Sequence, residues 1–184
     1  GNITLAEKQA VNAALLSSGA PIGEMNIVRK HLSRIKGGQL AAAIFPARLL
    51  SLMISDVPGD DPALIGSGPT VGDNSTAGDA ASILAKWNIA VPESVRDVLS
   101  NGSSVFRPDA AELQRTENRI IAAPSQSLEA AANVAKNHGC DVRILGDRIE
   151  GEAHELAKVH ARLALKIQRE QSIGDRPVLL PSGG

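Results

Sequence analysis

A cluster of five basic side chains precedes a pair of glycines near the start of the sequence: Arg29, Lys30, His31, Arg34 and Lys36. The glycine pair, residues 37–38, can open a helix, and the free backbone N–H groups at a helix N-terminus attract anions. Lys36 and these N–H groups would then form one anion site. Alternatively, the basic residues form a solvated helix face and the glycines form a turn. The pattern alone leaves both interpretations open.

The second group of residues that could do chemistry is acidic. Asp56, Asp60 and Asp61 lie within six residues of one another. Proteins bind Mg²⁺ through one or two carboxylates together with water and phosphate oxygens, so this loop could hold the ion. Aspartates beside Pro and Gly also form turns, in which they cap backbone N–H groups. A magnesium site and a structural turn are therefore both compatible with the acidic loop.

A loop rich in small residues follows, with the sequence Gly66-Ser-Gly-Pro-Thr70. Its backbone N–H groups and hydroxyls could cradle a phosphate. The segment lacks the Gly-Lys-Ser/Thr of a P-loop and does not match the dinucleotide fingerprint Gly-x-Gly-x-x-Gly. On its own it is a weak signal for phosphate binding.

A mixture of helices and strands must position these residues. Residues 48–55 form a near-continuous apolar run of strand length, which is typical of a parallel strand covered on both faces. The acidic loop would then follow the carboxyl end of that strand, where open parallel sheets bind ligands. Apolar spacing and capping residues predict helices at about residues 5–18, 24–32, 39–45, 76–87 and 92–99.

The last third of the chain alternates strands with helices. Strands are predicted at 119–123, 141–145 and 178–180, with helices at 125–138 and 151–170 between them. Such a βαβαβ series with right-handed crossovers forms one parallel layer. We therefore predict an α/β fold of parallel-sheet, three-layer, Rossmann-like segments that meet near residues 105–118. The capped helix at the start and the strand and glycine turn at the end lead us to expect a fragment of a two-domain protein.

The composition disfavours several classes of function. The 184 residues carry 19 Lys plus Arg against 20 Asp plus Glu, a formal net charge of −1, and only three aromatic residues. Without a basic surplus or stacking residues, we expect no nucleic-acid partner. The apolar runs are far shorter than the roughly 20 residues of a membrane span, and we expect neither a membrane partner nor a secretory signal. A single cysteine fits a reducing, cytoplasmic setting.

Three motifs stand out when they are considered together. They are Glu24-Met-Asn-x-Val-Arg-Lys-His-Leu-Ser-x-Ile-Lys-Gly-Gly-x-Leu-Ala, then Ile54-Ser-Asp-Val-Pro-Gly-Asp-Asp-Pro, and finally Ser67-Gly-Pro-Thr70. In these motifs the chain resembles the glycerate 2-kinase family, whose members carry a C-terminal MOFRL domain and are often labelled hydroxypyruvate reductases. The first two motifs are long and specific, and the resemblance extends over essentially the whole chain.

The resemblance implies an enzyme. Members of the glycerate 2-kinase family transfer the γ-phosphoryl group of ATP to D-glycerate and form 2-phosphoglycerate. They use Mg²⁺ and bind their substrates in a cleft between two α/β domains. The alternatives are an NAD(P)H-dependent hydroxypyruvate reductase and a non-catalytic α/β binding module. The missing dinucleotide fingerprint favours the kinase over the reductase. D-glycerate would be the small-molecule partner. The protein could also form a homodimer.

The resemblance also implies roles for individual residues. The catalytic set would be Asp56, Asp60 and Lys36, and the metal ligands would be Asp56 and Asp61. Substrate and phosphate would be bound by Asn26, Arg29, Lys30, His31, Ser67, Gly68 and Thr70. Residues 1–110 would be the C-terminal part of the Rossmann-like N-terminal domain, and residues 111–184 the βαβαβ segment leading into the MOFRL domain. We expect this stretch alone to lack a complete site.

Overall fold

The computed structural model describes residues 3–102, 104–149 and 151–183. The first part of the chain is mostly helical, with one strand. Its elements are α1 (Leu5–Ser18), α2 (Ile22–His31), α3 (Gln39–Ile44), β1 (Leu49–Ile54), α4 (Ala77–Lys86) and α5 (Glu93–Ser100). The remainder contains β2 (Thr116–Ala122), α6 (Pro124–Asn137), β3 (Asp141–Val142), α7 (Ala153–Glu170) and β4 (Val178–Leu179). The predicted α/β class with parallel strands is confirmed.

The chain divides into two compact units. The first comprises Gly1–Ile54 and Asp61–Ile121, and the second comprises Ser55–Asp60 and Ala122–Gly184. The main division thus follows Ile121, and most of the acidic loop belongs with the later part of the chain. The assignment of residues 1–110 and 111–184 to named family domains stays a prediction.

Local sequence signals explain where two of the helices begin. Thr4 caps α1 and Thr76 caps α4, and in each case the carboxylate three residues later completes a capping box with the backbone of the threonine. The carboxylate of Glu7 also accepts a hydrogen bond from Ser94 Oγ at 2.7 Å, which ties α1 to α5. Both boxes involve residues only three positions apart, so the local sequence specifies where these two helices begin.

The core of the first unit lies among α1, α2, α4 and α5. Its buried side chains are aliphatic and come from the inward face of each helix, as in Leu15, Val28, Leu84 and Val95. Burial of an aliphatic side chain of this size contributes roughly 1.5–3 kcal/mol. The packing of α2 in this cluster holds the basic segment at its end in a defined position.

The strands form two separate pairs. In the first, Leu49 N donates to Arg115 O at 3.0 Å and Ser55 N donates to Ala122 O at 2.8 Å, so β1 and β2 run parallel. In the second, β3 and β4 are parallel, with Asp141 opposite Val178. The predicted single βαβαβ layer is therefore wrong in its pairing, because β2 hydrogen-bonds to β1 and not to β3 among the described residues.

The prediction that the apolar strand is covered on both faces is also wrong. Met53 is buried, but Leu50, Leu52 and Ile54 are 52%, 56% and 70% exposed. Successive side chains of a strand alternate between the two faces of a sheet, and Leu50, Leu52 and Ile54 share the face that is exposed. In the part of the chain that the structure describes, no helix is long and apolar enough to cross a membrane.

Candidate functional site

Three of the residues expected to bind substrate lie together where α2 contacts the loop of residues 65–70. Ser67 Oγ donates to the side-chain oxygen of Asn26 at 3.2 Å, and a guanidinium nitrogen of Arg29 donates to the same oxygen at 3.3 Å. Arg29 Nε also donates to Asn12 Oδ1 at 2.8 Å. Asn26 and Ser67 are buried. Among the described residues, the Arg29 guanidinium thus has neutral amide oxygens as its acceptors.

Lys36 lies close to this group. Its ammonium donates a hydrogen bond to the backbone carbonyl of Gly66. Burial, and then the positive charges of Arg29 and Lys30, lower the pKa of Lys36 below its usual range. Burial is the larger cause, and the repulsion among the three cations adds to it. An anion bound beside Lys36 would offset that repulsion.

A cavity of about 260 Å³ lies beside these cations. We call it the basic cleft. Its polar lining includes Lys8, Asn12, Arg29 and Lys36, and its apolar lining includes Val28. A concave, mostly apolar surface with a few converging polar groups is the usual form of a small-molecule site. The basic cleft is therefore the candidate anion site of the first unit.

The expected partnership of Lys36 with the start of α3 is not observed. Gly37 N donates to Ser67 O at 3.2 Å, Gly38 N to Gly68 O at 2.9 Å, and Leu40 N to Pro69 O at 3.1 Å. These N–H groups are already used, so the prediction that they converge with Lys36 on one anion is wrong. The glycines serve close packing instead, since a Cβ at residue 37 would lie 2.9 Å from a methyl group of Val105.

Close backbone packing fixes Gly68 in its loop, and hydrogen bonds fix Thr70. Gly68 has a φ of +61°, and a Cβ there would lie 3.0 Å from the carbonyl oxygen of Ala63, so only glycine fits without strain. Thr70 Oγ1 donates to Asn118 Oδ1 at 2.6 Å, and Asn118 Nδ2 returns a bond to the Thr70 carbonyl at 3.3 Å. Asn118, on β2, was not foreseen as part of this region. That Gly68 and Thr70 line a phosphate path stays a prediction.

Lys30 and His31 are engaged in a buried polar network. Lys30 forms an ion pair with Asp73, whose other oxygen accepts from the backbone N–H of Ser75 at 2.8 Å. His31 Nε2 lies 3.0 Å from Ser75 Oγ. The Lys30 ammonium is therefore already neutralised by a carboxylate, which makes it a weaker candidate for phosphate than Arg29 or Lys36.

Sequence reasoning missed Asp73 and Ser75. The one local signal was the Asp-x-Ser spacing, which suits an aspartate that caps the N–H two residues later. Burial opposes ionisation of Asp73, but its hydrogen bonds with Lys30 and Ser75 outweigh that effect and lower its pKa below the usual value. Burial lowers the pKa of His31, which favours the neutral imidazole.

In the second unit, the acidic loop forms a tight turn after β1. Asp60 N donates to Val57 O at 3.0 Å, and Asp60 itself has a φ of +56°. Asp60 Oδ1 is buried, and it has no hydrogen-bond partner in the described part of the chain. Asp56 is exposed. Arg148, which the sequence analysis did not single out, lies so near that a Cβ on Gly59 would be 3.3 Å from its Nε.

Asp61 belongs to the first unit, and its carboxylate stabilises a turn, which was the structural alternative to a magnesium site. Its Oδ1 accepts from Ala63 N at 2.8 Å, which is an aspartate capping a loop N–H. Within residues 3–102, 104–149 and 151–183, no group of three or more His, Cys, Asp or Glu side chains could hold a metal ion. A Mg²⁺ ion held by one or two carboxylates needs no such group. The unpartnered carboxylate oxygen of Asp60 is of the type that serves as a ligand of Mg²⁺.

Comparison with known proteins gives a consistent result. A family model described as "Domain of unknown function (DUF4147)" matches residues 1–100. The chain is 53% identical over 184 residues to an Agrobacterium vitis protein named "Putative hydroxypyruvate reductase", covering 100% of this chain and 41% of that protein. It is 36% identical over 180 residues to a protein of Thermotoga maritima named "D-glycerate 2-kinase", covering 98% of this chain and 41% of that protein.

Solved structures agree with these sequence matches. The crystal structure of a glycerate kinase from Thermotoga maritima matches with a TM-score of 0.81 at 33% identity, over 100% of this chain and 43% of that one. A protein from Pyrococcus horikoshii matches with a TM-score of 0.73 at 36% identity, over 99% of this chain and 42% of that one. The chain thus spans less than half the length of the proteins that it matches.

Proposed function

Since this chain belongs to the DUF4147 family and resembles glycerate kinases along almost its whole length, we propose that a protein containing it phosphorylates D-glycerate with ATP. The product would be 2-phosphoglycerate. The structural observation that carries the proposal is the basic cleft, in which Arg29 and Lys36 have no carboxylate partner among the described residues. The names of the relatives identify glycerate as the anion to test first.

Two cations of the basic cleft and three residues near it have separate tasks in this proposal. Arg29 and Lys36 neutralise the carboxylate of glycerate or the phosphates of ATP, and phosphoryl transfer depends mainly on such neutralisation and on in-line positioning. Asn26 and Ser67 hold the Arg29 guanidinium and the loop of residues 65–70 in place. Lys30 acts through its ion pair with Asp73, which fixes the end of α2.

The carboxylates of the acidic loop complete the proposal. Asp60 fits a magnesium ligand, because one of its carboxylate oxygens is buried without a partner in the described chain. Asp56, an exposed residue of the same unit, would share this task. Mg²⁺, when bound, would neutralise negative charge on the phosphates. We assign acceptance of the proton from the 2-hydroxyl of glycerate to Asp56 or Asp60.

The second candidate function is NAD(P)H-dependent reduction of hydroxypyruvate. It is favoured by the name of the Agrobacterium vitis relative, whose sequence is closer to this chain than that of the kinase. The kinase is the better proposal because the D-glycerate 2-kinase of Thermotoga maritima and a solved glycerate kinase structure both match almost the whole chain. We further propose a cytoplasmic setting, in which Cys140 stays reduced. A homodimer remains an expectation to be measured on the full-length protein.

The deciding experiment uses the full-length protein in two parallel assays. In the first, D-glycerate and ATP are supplied with Mg²⁺, and the product is detected by coupling to enolase, which accepts 2-phosphoglycerate directly. In the second, hydroxypyruvate and NADH are supplied, and loss of NADH absorbance is followed. We expect turnover only in the first assay. Turnover only in the second supports the reductase, and turnover in neither supports a non-catalytic module.

A further inference from the structure

The first unit contains another cavity, of about 350 Å³, at the amino ends of β1 and β2. We call it the arginine cavity. Its lining residues are Arg48, Gln114, Arg115, Thr116 and Glu117. It shares none of them with the basic cleft, and none of the functional roles assigned above uses it. Its volume lies within the range of small-molecule sites.

The pairing of the two strands brings the two arginines of this cavity together. Arg48 directly precedes β1, and Arg115 directly precedes β2. Leu49 N donates to Arg115 O at 3.0 Å, so the two segments are already paired at this point. Paired strands lie roughly 5 Å apart. Because an arginine side chain is longer than that spacing, both guanidinium groups can reach one small ligand.

The location of the arginine cavity separates it from the substrate sites that are usual for parallel sheets. Open parallel sheets bind substrates beyond the carboxyl ends of their strands, whereas this cavity lies at the amino ends. β1 has six residues, which corresponds to roughly 20 Å between its two ends. A ligand in the arginine cavity would therefore occupy a site of its own.

Both arginines keep N–H donors for a ligand. A guanidinium nitrogen of Arg115 donates to Pro46 O at 2.7 Å, and because a guanidinium carries five N–H groups, most of its donors remain. Arg48 is exposed, and its side chain forms no ion pair or hydrogen bond within the part of the chain that the structure describes. The carboxylate that lines the cavity, Glu117, forms an ion pair with Arg119. The lining thus carries two positive charges that no described carboxylate neutralises.

We propose that the arginine cavity binds a small dicarboxylate. A carboxylate pairs with a guanidinium through two parallel N–H···O hydrogen bonds, so two neighbouring arginines match the two carboxylates of a short chain. The side chains of Gln114 and Thr116 line the same cavity and add neutral donors for the remaining carboxylate oxygens. A monocarboxylate leaves one arginine unpaired. Inorganic phosphate holds all of its oxygens around one atom and spans less of the cavity.

Isothermal titration calorimetry on the full-length protein tests the proposal with defined probes. Succinate carries two carboxylates, monomethyl succinate has the same chain with one of them esterified, and inorganic phosphate is an anion with a single centre. We expect succinate to bind, and each of the other two to bind about tenfold more weakly, as expected for a lost charge-assisted hydrogen bond. D-glycerate in excess should not displace succinate. These titrations need no turnover, so they stay informative even if the proposed kinase activity is not found.

Arg48→Gln shows whether this arginine meets a carboxylate of the ligand. The variant should bind succinate about tenfold more weakly but monomethyl succinate almost as well as before, because the ester can pair with Arg115. Its preference for succinate over the ester should therefore disappear. Arg48 is exposed, so its substitution does not endanger folding. Arg107→Gln, which removes another exposed arginine of the same unit, is the matched control and should keep the full preference.

Four results would overturn the proposal. Succinate would fail to bind, or would bind no better than its monomethyl ester or inorganic phosphate. D-glycerate would displace it, which would place the dicarboxylate in the substrate site. Arg48→Gln would keep the preference of the unmodified protein for succinate, or Arg107→Gln would lose that preference as well, which would indicate attraction to the charged surface in general.

Discussion

Lys30 and Asp73 form a buried ion pair that joins the last turn of α2 to the segment just before α4. The Lys30 side chain is 2% exposed and that of Asp73 is 16% exposed. Asp73 also accepts from the backbone N–H of Ser75, so both of its oxygens are used. A lysine this deeply buried is stable only with a partner. The pair gives the Lys30 ammonium a carboxylate partner within the first unit, which Arg29 and Lys36 lack among the described residues.

Loss of the Asp73 charge should destabilise the first unit. Asp73→Asn leaves the Lys30 ammonium buried and uncompensated, which should cost about 3 kcal/mol at neutral pH. The folded-state pKa of Asp73 lies below its ordinary value of 3.8, so its contribution is complete above 3.8 and is lost as pH falls through the folded-state pKa. Urea unfolding at several pH values checks both points. Asp109→Asn, at a side chain that is 88% exposed, is the control and should change little.

His31 should make the stability of the protein rise with pH near neutrality. Its folded-state pKa lies below its ordinary value of 6.5, so the unfolded chain binds more protons between those two values. The free energy of unfolding should therefore increase as pH rises toward 6.5 and level off above it. His31→Gln should flatten that rise, whereas His154→Gln, at an exposed position, should not. An unchanged pH profile in His31→Gln would contradict the assignment.

Lys36 should contribute to anion binding more than to folding. Lys36→Met keeps much of the aliphatic stem but removes the ammonium that lies near Arg29. We expect KM for D-glycerate or for ATP to rise about tenfold to a hundredfold, which corresponds to a charge-assisted hydrogen bond of roughly 1.5–3 kcal/mol. Lys36→Arg, which retains the charge, should recover part of the affinity. Steady-state kinetics that leave both KM values unchanged would remove Lys36 from the site.

Asp60 should act through the metal. Asparagine tolerates positive φ as well as aspartate does, so Asp60→Asn preserves the turn at φ +56° while it removes the charge. We expect the Mg²⁺ concentration for half-maximal kinase activity to rise about tenfold or more. The free energy of unfolding should stay equal or increase, because one buried oxygen of the carboxylate has no partner among the described residues. Asp141→Asn, at an exposed residue of the same unit, is the control. Reduced stability with normal Mg²⁺ dependence would indicate a structural role only.

Gly68 should be irreplaceable because of close packing as well as conformation. Gly19 and Gly68 have φ values of +78° and +61°, but a Cβ meets nothing within 4 Å at residue 19 and lies 3.0 Å from Ala63 O at residue 68. Gly19→Ala should therefore cost only the left-handed strain, about 1–2 kcal/mol, and Gly68→Ala should cost more. Thermal unfolding of both variants measures the difference. Equal losses would mean that the loop adjusts freely.

The sequence by itself determined the helices, their capping boxes and the α/β class. These features depend on residues only a few positions apart, such as Thr76 with Asp79, so local spacing is sufficient to predict them. The motifs also indicated which residues could do chemistry and which family they resemble. Asn26, Arg29 and Ser67 were all singled out in this way, and the structure brings them together.

Only the tertiary structure decided which partners those residues take. Lys30 is 43 positions from Asp73, and Thr70 is 48 positions from Asn118. The backbone N–H groups expected to meet an anion beside Lys36 are used by the carbonyls of residues 67–69 instead. The type of a residue determines whether it can donate a hydrogen bond, accept one or neutralise a charge. Which group becomes its partner depends on how segments distant in sequence pack together, and the helix and strand patterns in the sequence do not specify that packing.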